Sequence, residues 1–142
     1  MSVQEPAIDL VPIGHVQSSL VDLDSAPRQG DEGAPAAWLV FDPAVRDGLG
    51  DIAIGDDLLL LTWLDRGDRR VLKVHPRGDR SRPETGVFST RSPDRPNPIG
   101  LHRVQVLAIE ASGLRVQVSD LEALDGTPIL DVKPVLDPIA DR

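Results

Sequence analysis

The chain contains no cysteine and no tyrosine, and its 142 residues include only two tryptophans and two phenylalanines. Without cysteine there are no disulfides and no Cys-based zinc site. With so few rings, a core has to be built from Val, Leu, Ile and Ala. The three histidines, His15, His75 and His102, lie far apart in sequence, so no metal site is expected. No apolar run approaches the roughly 18 residues of a membrane span. The N-terminus has no basic region followed by an apolar stretch, so no signal peptide is read. The expectation is a cytoplasmic protein without a membrane partner.

Basic residues are also in the minority, 15 Lys and Arg against 23 Asp and Glu, for a net charge of −8. That balance argues against indiscriminate nucleic-acid binding. Its distribution is uneven. Residues 66–103 hold ten of the bases and four acids, a local +6, and the remainder holds five bases and nineteen acids, −14. One part of the chain is suited to face an anion while the rest repels it; the alternative is a solvated edge with exposed arginines.

The length suits one domain with one core, and a 40% hydrophobic content is ordinary for a globular chain. Residues 1–7 read as a loose tail and 8–142 as the domain. Ile8–Val16 alternates imperfectly and reads as a first strand, with Pro12 marking an edge or bulge. Ser18–Pro35 is a loop rich in Asp, Ser, Pro and Gly. Ala37–Phe41 is a short strand. Asp42 is placed to cap a short helix over Ala44–Leu49, with Pro43 at its first position. Asp57–Leu64 reads as a buried strand and Val71–His75 as another, followed by a basic loop over 76–85. Leu101–Ile109 and Leu114–Val118 form a hairpin turned at Ala111-Ser-Gly113. Val104 and Val106 point one way and Arg103 and Gln105 the other, and Val116 and Val118 oppose Arg115 and Gln117 in the same manner. Ile129–Val132 is a last strand. Many short strands with a single helical signal predict a mainly β, single-domain barrel or sandwich. No βαβ alternation supports a Rossmann fold.

One stretch stands apart: Gly86-Val-Phe-Ser-Thr-Arg-Ser-Pro-Asp-Arg-Pro-Asn-Pro-Ile-Gly100. Pro93, Pro96 and Pro98 fix their own φ and push the preceding residues toward extended geometry, so the loop loses little entropy on ordering. Between them stand Arg91, Ser92, Asp94, Arg95 and Asn97, donors and acceptors on a stiff frame. Gly86 and Gly100 bracket it where a turn or a close backbone approach is expected. The plainer reading is a proline-rich surface loop.

GVFSTRSPDRPNPIGL resembles the signature of the TsaA/TrmO family, S-adenosylmethionine-dependent methyltransferases built on a β-barrel. Leu124-Asp-Gly-Thr-Pro-Ile-Leu-Asp-Val-Lys-Pro134 resembles a second family block, and Ile13-Gly14 with Pro27-Arg28-Gln29 a weaker third. The resemblance implies S-adenosylmethionine as cofactor and threonylcarbamoyl-modified adenosine beside the tRNA anticodon as acceptor. It implies cofactor contacts at Pro27, Arg28, Gln29, Arg91, Leu101, Glu122, Leu124, Asp125, Gly126 and Thr127. Asp65 and Arg66 are added where relatives often carry a His-containing pair. Arg95, Asn97 and Asp125 are implied on the acceptor side, with Asp125 or Asp94 as base for a nitrogen whose lone pair is delocalised. Arg91 is assigned to the cofactor, and Arg95, nearer the loop tip, to the incoming acceptor. The resemblance also implies a homodimer with the cofactor near its interface. Well-studied bacterial members carry an additional C-terminal domain that helps hold tRNA, and a short form without it is the expectation here. Other readings are a methyltransferase for another nucleoside or small molecule, and a non-catalytic cofactor-binding regulator.

Overall fold

A computed structural model describes residues 7–20 and 36–136. Six strands form a closed ring, an irregular barrel in which each inner face supplies the core. The barrel strands are β1 (Gly14–Gln17), β2 (Ala37–Phe41), β3 (Asp57–Trp63), β6 (Ile99–Ile109), β7 (Arg115–Val118) and β8 (Pro128–Pro134). Around the ring the order is β1-β2-β7-β6-β3-β8, with β8 returning to β1, and every pairing is antiparallel. Closure leaves the ring itself without a free edge among the described residues. Outside the ring, β4 (Lys73–Val74) and β5 (Thr85–Gly86) make a small separate ladder.

Period-two alternation explains which residues meet inside. β2 buries Ala37, Leu39 and Phe41; β6 buries His102, Val104 and Val106; β7 buries Val116 and Val118. These join Val16, Leu58, Leu60, Leu121 and Ile129 in one cluster. β3 is apolar on both faces. Leu58 and Leu60 point into the cluster, whereas Leu59 and Leu61 are half-buried on the outside. There Leu61 pairs with Leu101 and Trp63 with Ile99, an outward apolar patch.

The barrel agrees with the mainly β expectation, and differences lie at the element ends. The first strand is Gly14–Gln17 rather than Ile8–Val16. Pairing starts where the Ile13 amide reaches the Ile129 carbonyl, and Pro12 has no amide to extend the ladder. Val71–His75 shrinks to Lys73–Val74, because its only ladder partner is the two-residue β5. The helical turn is 3₁₀ in type, η1 (Pro43–Leu49), with the Asp42 carboxylate accepting from the Ala44 amide at 2.8 Å. Two further 3₁₀ turns, η2 (Pro76–Gly78) and η3 (Val87–Ser89), lie in segments read as loop. The tail assigned to residues 1–7 falls almost wholly outside the described residues.

Candidate functional site

Three segments converge at the end of the barrel where β3 finishes and β6 begins: the turn 64–70, the loop 90–98 and the stretch 121–127. The loop is built by its own short side chains. Thr90 Oγ1 donates to the Val87 carbonyl and accepts from the Ser92 amide, and Ser92 Oγ accepts from the Asp94 amide. Such side-chain bonds to nearby backbone stabilise tight turns. Arg95 turns inward: its Nη1 donates to the carbonyls of Thr90 and Ser92 at 3.0 and 2.9 Å. The side chain read as facing an acceptor therefore ties the loop together.

The turn 64–70 then clasps this loop. Arg69 donates to the Pro96 carbonyl at 2.6 Å and to Asn97 Oδ1 at 2.9 Å, with its guanidinium 5.3 Å from the centre of the Trp63 ring. The Asp94 carboxylate accepts from the Asp68 amide at 2.8 Å, and the Leu64 amide donates to the carbonyl of buried Pro98 at 2.7 Å. Gly67 is needed here, because a Cβ on it would lie 2.2 Å from the Pro93 carbonyl oxygen. A hydrogen bond from the Arg70 side chain, reinforced by its amide, holds the Asp68 carboxyl below the usual carboxylate range. Asp65 and Arg66 are exposed on this turn.

Inside the barrel mouth the core turns polar. His102, on the inward face of β6, places Nδ1 2.5 Å from Oε1 of Glu122 and Nε2 2.8 Å from Oγ1 of Thr62. Thr62 is wholly buried, the His102 side chain is 5% exposed and that of Glu122 17%. Gly100 sits opposite Thr62 in the β3–β6 ladder, and a Cβ there would lie 2.5 Å from Thr62 Oγ1 and 2.8 Å from His102 Nε2. The expected close approach at Gly100 is thus to this pair. Gly86, by contrast, has open space around it and an ordinary φ of −58°.

The stretch after β7 is docked to the chain that follows β1. The Gly126 amide reaches the Val16 carbonyl, the Val16 amide the Thr127 carbonyl, and the Asp125 amide the Leu20 carbonyl. Asp125 Oδ1 accepts from the Ser18 amide at 3.0 Å. Leu124 and Thr127 are buried, whereas Asp125 and Gly126 are exposed at a turn with Gly126 at φ +83°.

The structure brings together many of the residues read from the sequence. Arg91 Nη1 lies 3.4 Å from the Leu101 carbonyl on β6, next to His102, which in turn holds Glu122. Asn97, with Asp94, is tied to the turn carrying Asp65 and Arg66 through the Arg69 and Asp68 bonds, whereas Arg95 bonds to its own loop. Pro27, Arg28 and Gln29 lie outside the described residues. Thr62, His102 and Arg69 were not read from the sequence. A signal for the first two exists: Thr62 shares the parity of Leu58 and Leu60, and His102 that of Val104 and Val106, so each is a polar residue on an inward face. A cavity of about 330 Å³ lies elsewhere, lined by Ile13, Val45, Leu49, Ile52 and Val132 among others, and touches none of these side chains. Among the described residues no group of three or more His, Asp or Glu is placed to hold a metal ion, and no helix is long and apolar enough to cross a membrane.

Residues 15–141 match the family described as the tRNA-methyltransferase O N-terminal domain. The chain belongs to that family. An S-adenosyl-L-methionine-binding protein of Archaeoglobus fulgidus is 41% identical over 124 residues, 87% of this chain and 86% of that protein. A probable S-adenosyl-L-methionine-binding protein of the same organism is 43% identical over 127 residues, 89% of this chain but 34% of the other. Among solved structures, TrmO from Pseudomonas aeruginosa superposes with a TM-score of 0.72 at 29% identity, over 96% of this chain and 58% of that one. A further TrmO crystal structure gives 0.74 at 30% identity, over 98% and 59%. The chain thus spans less than two thirds of the solved TrmO chains and about a third of the longer archaeal relative.

Proposed function

We propose that this chain binds S-adenosylmethionine at the polar mouth of the barrel and transfers its methyl group to a nitrogen of threonylcarbamoyl-modified adenosine beside the tRNA anticodon. The observation that carries the reading is the convergence, in a TrmO-family barrel, of the clasped signature loop, the start of β6 and the Glu122–Thr127 stretch. The residues fit the cofactor. An exposed guanidinium at Arg91 suits its carboxylate. The partly exposed carboxylate of Glu122 suits its amino group or ribose hydroxyls, and the Leu101 backbone supplies neutral contacts. Asp65, Arg66, Leu124, Asp125, Gly126 and Thr127 complete the described part of the site, with Pro27, Arg28 and Gln29 proposed beside it.

When bound, the cofactor supplies an electrophilic methyl group on a sulfonium. The protein's work is then to hold donor and acceptor in line and to exclude water. Asp125 is proposed as the group that takes the proton from the acceptor nitrogen, since its carboxylate is exposed, with Oδ1 held by the Ser18 amide. Asn97 and Arg95 act through the loop they shape. Arg70, Lys73, Arg80 and Arg82, all exposed, would meet RNA phosphates. The outward patch of Leu61, Trp63, Ile99 and Leu101 is proposed to pack against a second copy of the chain, which would bring two cofactor sites to the dimer interface.

Incubation with methyl-labelled S-adenosylmethionine and total tRNA, followed by nucleoside mass spectrometry, tests this directly. Label on threonylcarbamoyl-adenosine is the expected result. Cofactor binding without label on any nucleoside favours the second reading, a non-catalytic cofactor-binding regulator; the two archaeal relatives are named for S-adenosyl-L-methionine binding alone.

A further inference from the structure

The buried Thr62–His102–Glu122 chain is larger than the fold requires. An aliphatic pair at Thr62 and His102 would fill the same inward positions without bringing polar atoms into the core. Its direction follows from hydrogen-bond accounting. The bond that the structure records for the Thr62 hydroxyl is to His102 Nε2, at 2.8 Å. If the hydroxyl accepted from Nε2–H, its own hydrogen would be left without an acceptor in a fully buried place. The arrangement that leaves no buried hydrogen without an acceptor has the hydroxyl donating, Nε2 accepting and the ring proton on Nδ1. From there it reaches Oε1 of Glu122, 2.5 Å away.

We propose that Thr62 and His102 are positioning residues that fix the tautomer of the imidazole and, through it, the orientation of Glu122. One carboxylate oxygen is held by Nδ1–H and the other is aimed at a donor of the ligand, an ammonium or a pair of hydroxyls. Neither Thr62 nor His102 touches the ligand; both are covered, and only Glu122 reaches the mouth. A carboxylate held in one rotamer loses less entropy on binding than a free one. Gly100 belongs to the same device, since any side chain there would part Thr62 from His102. The inference rests on the functional reading above for the identity of the ligand, but not for the state of the ring.

Two measurements separate these dependencies. Long-range ¹⁵N–¹H correlation spectra of the ligand-free protein report the His102 tautomer. The Nδ1–H tautomer is expected, and a ring protonated on Nε2 overturns the proposal whatever the protein binds. Calorimetric titration with S-adenosylmethionine then compares wild type with Thr62→Val, Thr62→Ser and Glu122→Gln. Thr62→Val keeps the shape and removes the donor, and should weaken binding about tenfold, the scale of one net hydrogen bond. Thr62→Ser restores the hydroxyl and should stay within about twofold of wild type. Glu122→Gln should lose at least as much as Thr62→Val. If Thr62→Val lowers thermal stability yet binds like wild type, the chain is structural only and the proposal fails. If wild type itself binds no S-adenosylmethionine, the functional reading fails, and the tautomer alone decides whether the buried chain has the direction assigned to it.

Discussion

Two arginines four positions apart in the signature loop have opposite surroundings. Arg91 is exposed and lies along β6 at the Leu101 carbonyl, whereas Arg95 is half-buried with two carbonyls of its own loop as partners. Arg91→Ala should weaken S-adenosylmethionine binding by roughly 1.5–3 kcal/mol, the range for a hydrogen bond to a charged group. Arg91→Lys should recover only part, having lost the planar fork. Arg95→Ala should instead lower the unfolding midpoint, by about 1–2 kcal/mol of stability, and reduce binding only through the loosened loop. Denaturant melts and calorimetry on the same three variants separate the two roles. A second residue-scale case lies in the basic loop after β4. Hydrogen bonds from the hydroxyl of Ser81, and then from its amide, hold the Asp79 carboxyl below its ordinary pKa. A folded-state pKa that is depressed gives stability present at neutral pH and lost as pH falls through the folded value. Ser81→Ala removes the largest cause, so carboxyl NMR should show Asp79 titrating closer to an ordinary aspartate.

Among the elements, β3 and β6 make the ladder on which both the core and the site depend. Their inward rows run Leu58, Leu60, Thr62 and Gly100, His102, Val104, Val106. The apolar members fill the barrel and the polar members close its mouth, so one ladder carries the core at one end and the proposed binding site at the other. Gly100→Ala forces a Cβ against Thr62 Oγ1 and should destabilise the fold by about 1–3 kcal/mol, the usual penalty for overpacking. It should also give the same change in the His102 spectrum as Thr62→Val. Urea denaturation and the imidazole resonances check both. The outer row of the ladder makes a different prediction. Ile99 and Leu101 remain 42% and 41% exposed beside Trp63 and Leu61. If a second copy covers them, light scattering should report two chains for wild type and one for Ile99→Asp.

For the whole molecule, the uneven charge sets how a net −8 chain would meet the polyanion proposed as its substrate. Nine of the ten bases of residues 66–103 lie between the end of β3 and the start of β6, on the turn 64–70, on β4 and the loop after it, and on the signature loop; Arg103 lies on β6. The acidic remainder repels a misplaced nucleic acid, so binding should be oriented as well as salt-dependent. Arg80→Ala should flatten the log–log salt dependence of tRNA binding by about 0.7–0.9 of a unit if that side chain meets a phosphate. An unchanged slope in filter-binding titrations would remove it from the RNA face.

The sequence by itself determined the strand-rich class and the hairpin of β6 and β7. It also marked the helical turn capped by Asp42 and the rigid stretch on which the proposed site is placed. Each depends on local rules: period-two alternation, capping chemistry, and the stiffness of Pro93, Pro96 and Pro98. Family resemblance added Arg91, Leu101 and Glu122, residues that no local rule distinguishes from solvated neighbours. Only the tertiary structure decided which polar residues share an interior. Thr62 and His102 are 40 positions apart, and His102 and Glu122 are 20 apart. Their meeting depends on the register of β3 against β6 and on the path of the chain after β7. Register is a property of a strand pair and not of either strand. The same holds for Arg95, whose partners are backbone carbonyls that exist as a cradle only once the loop has folded around it.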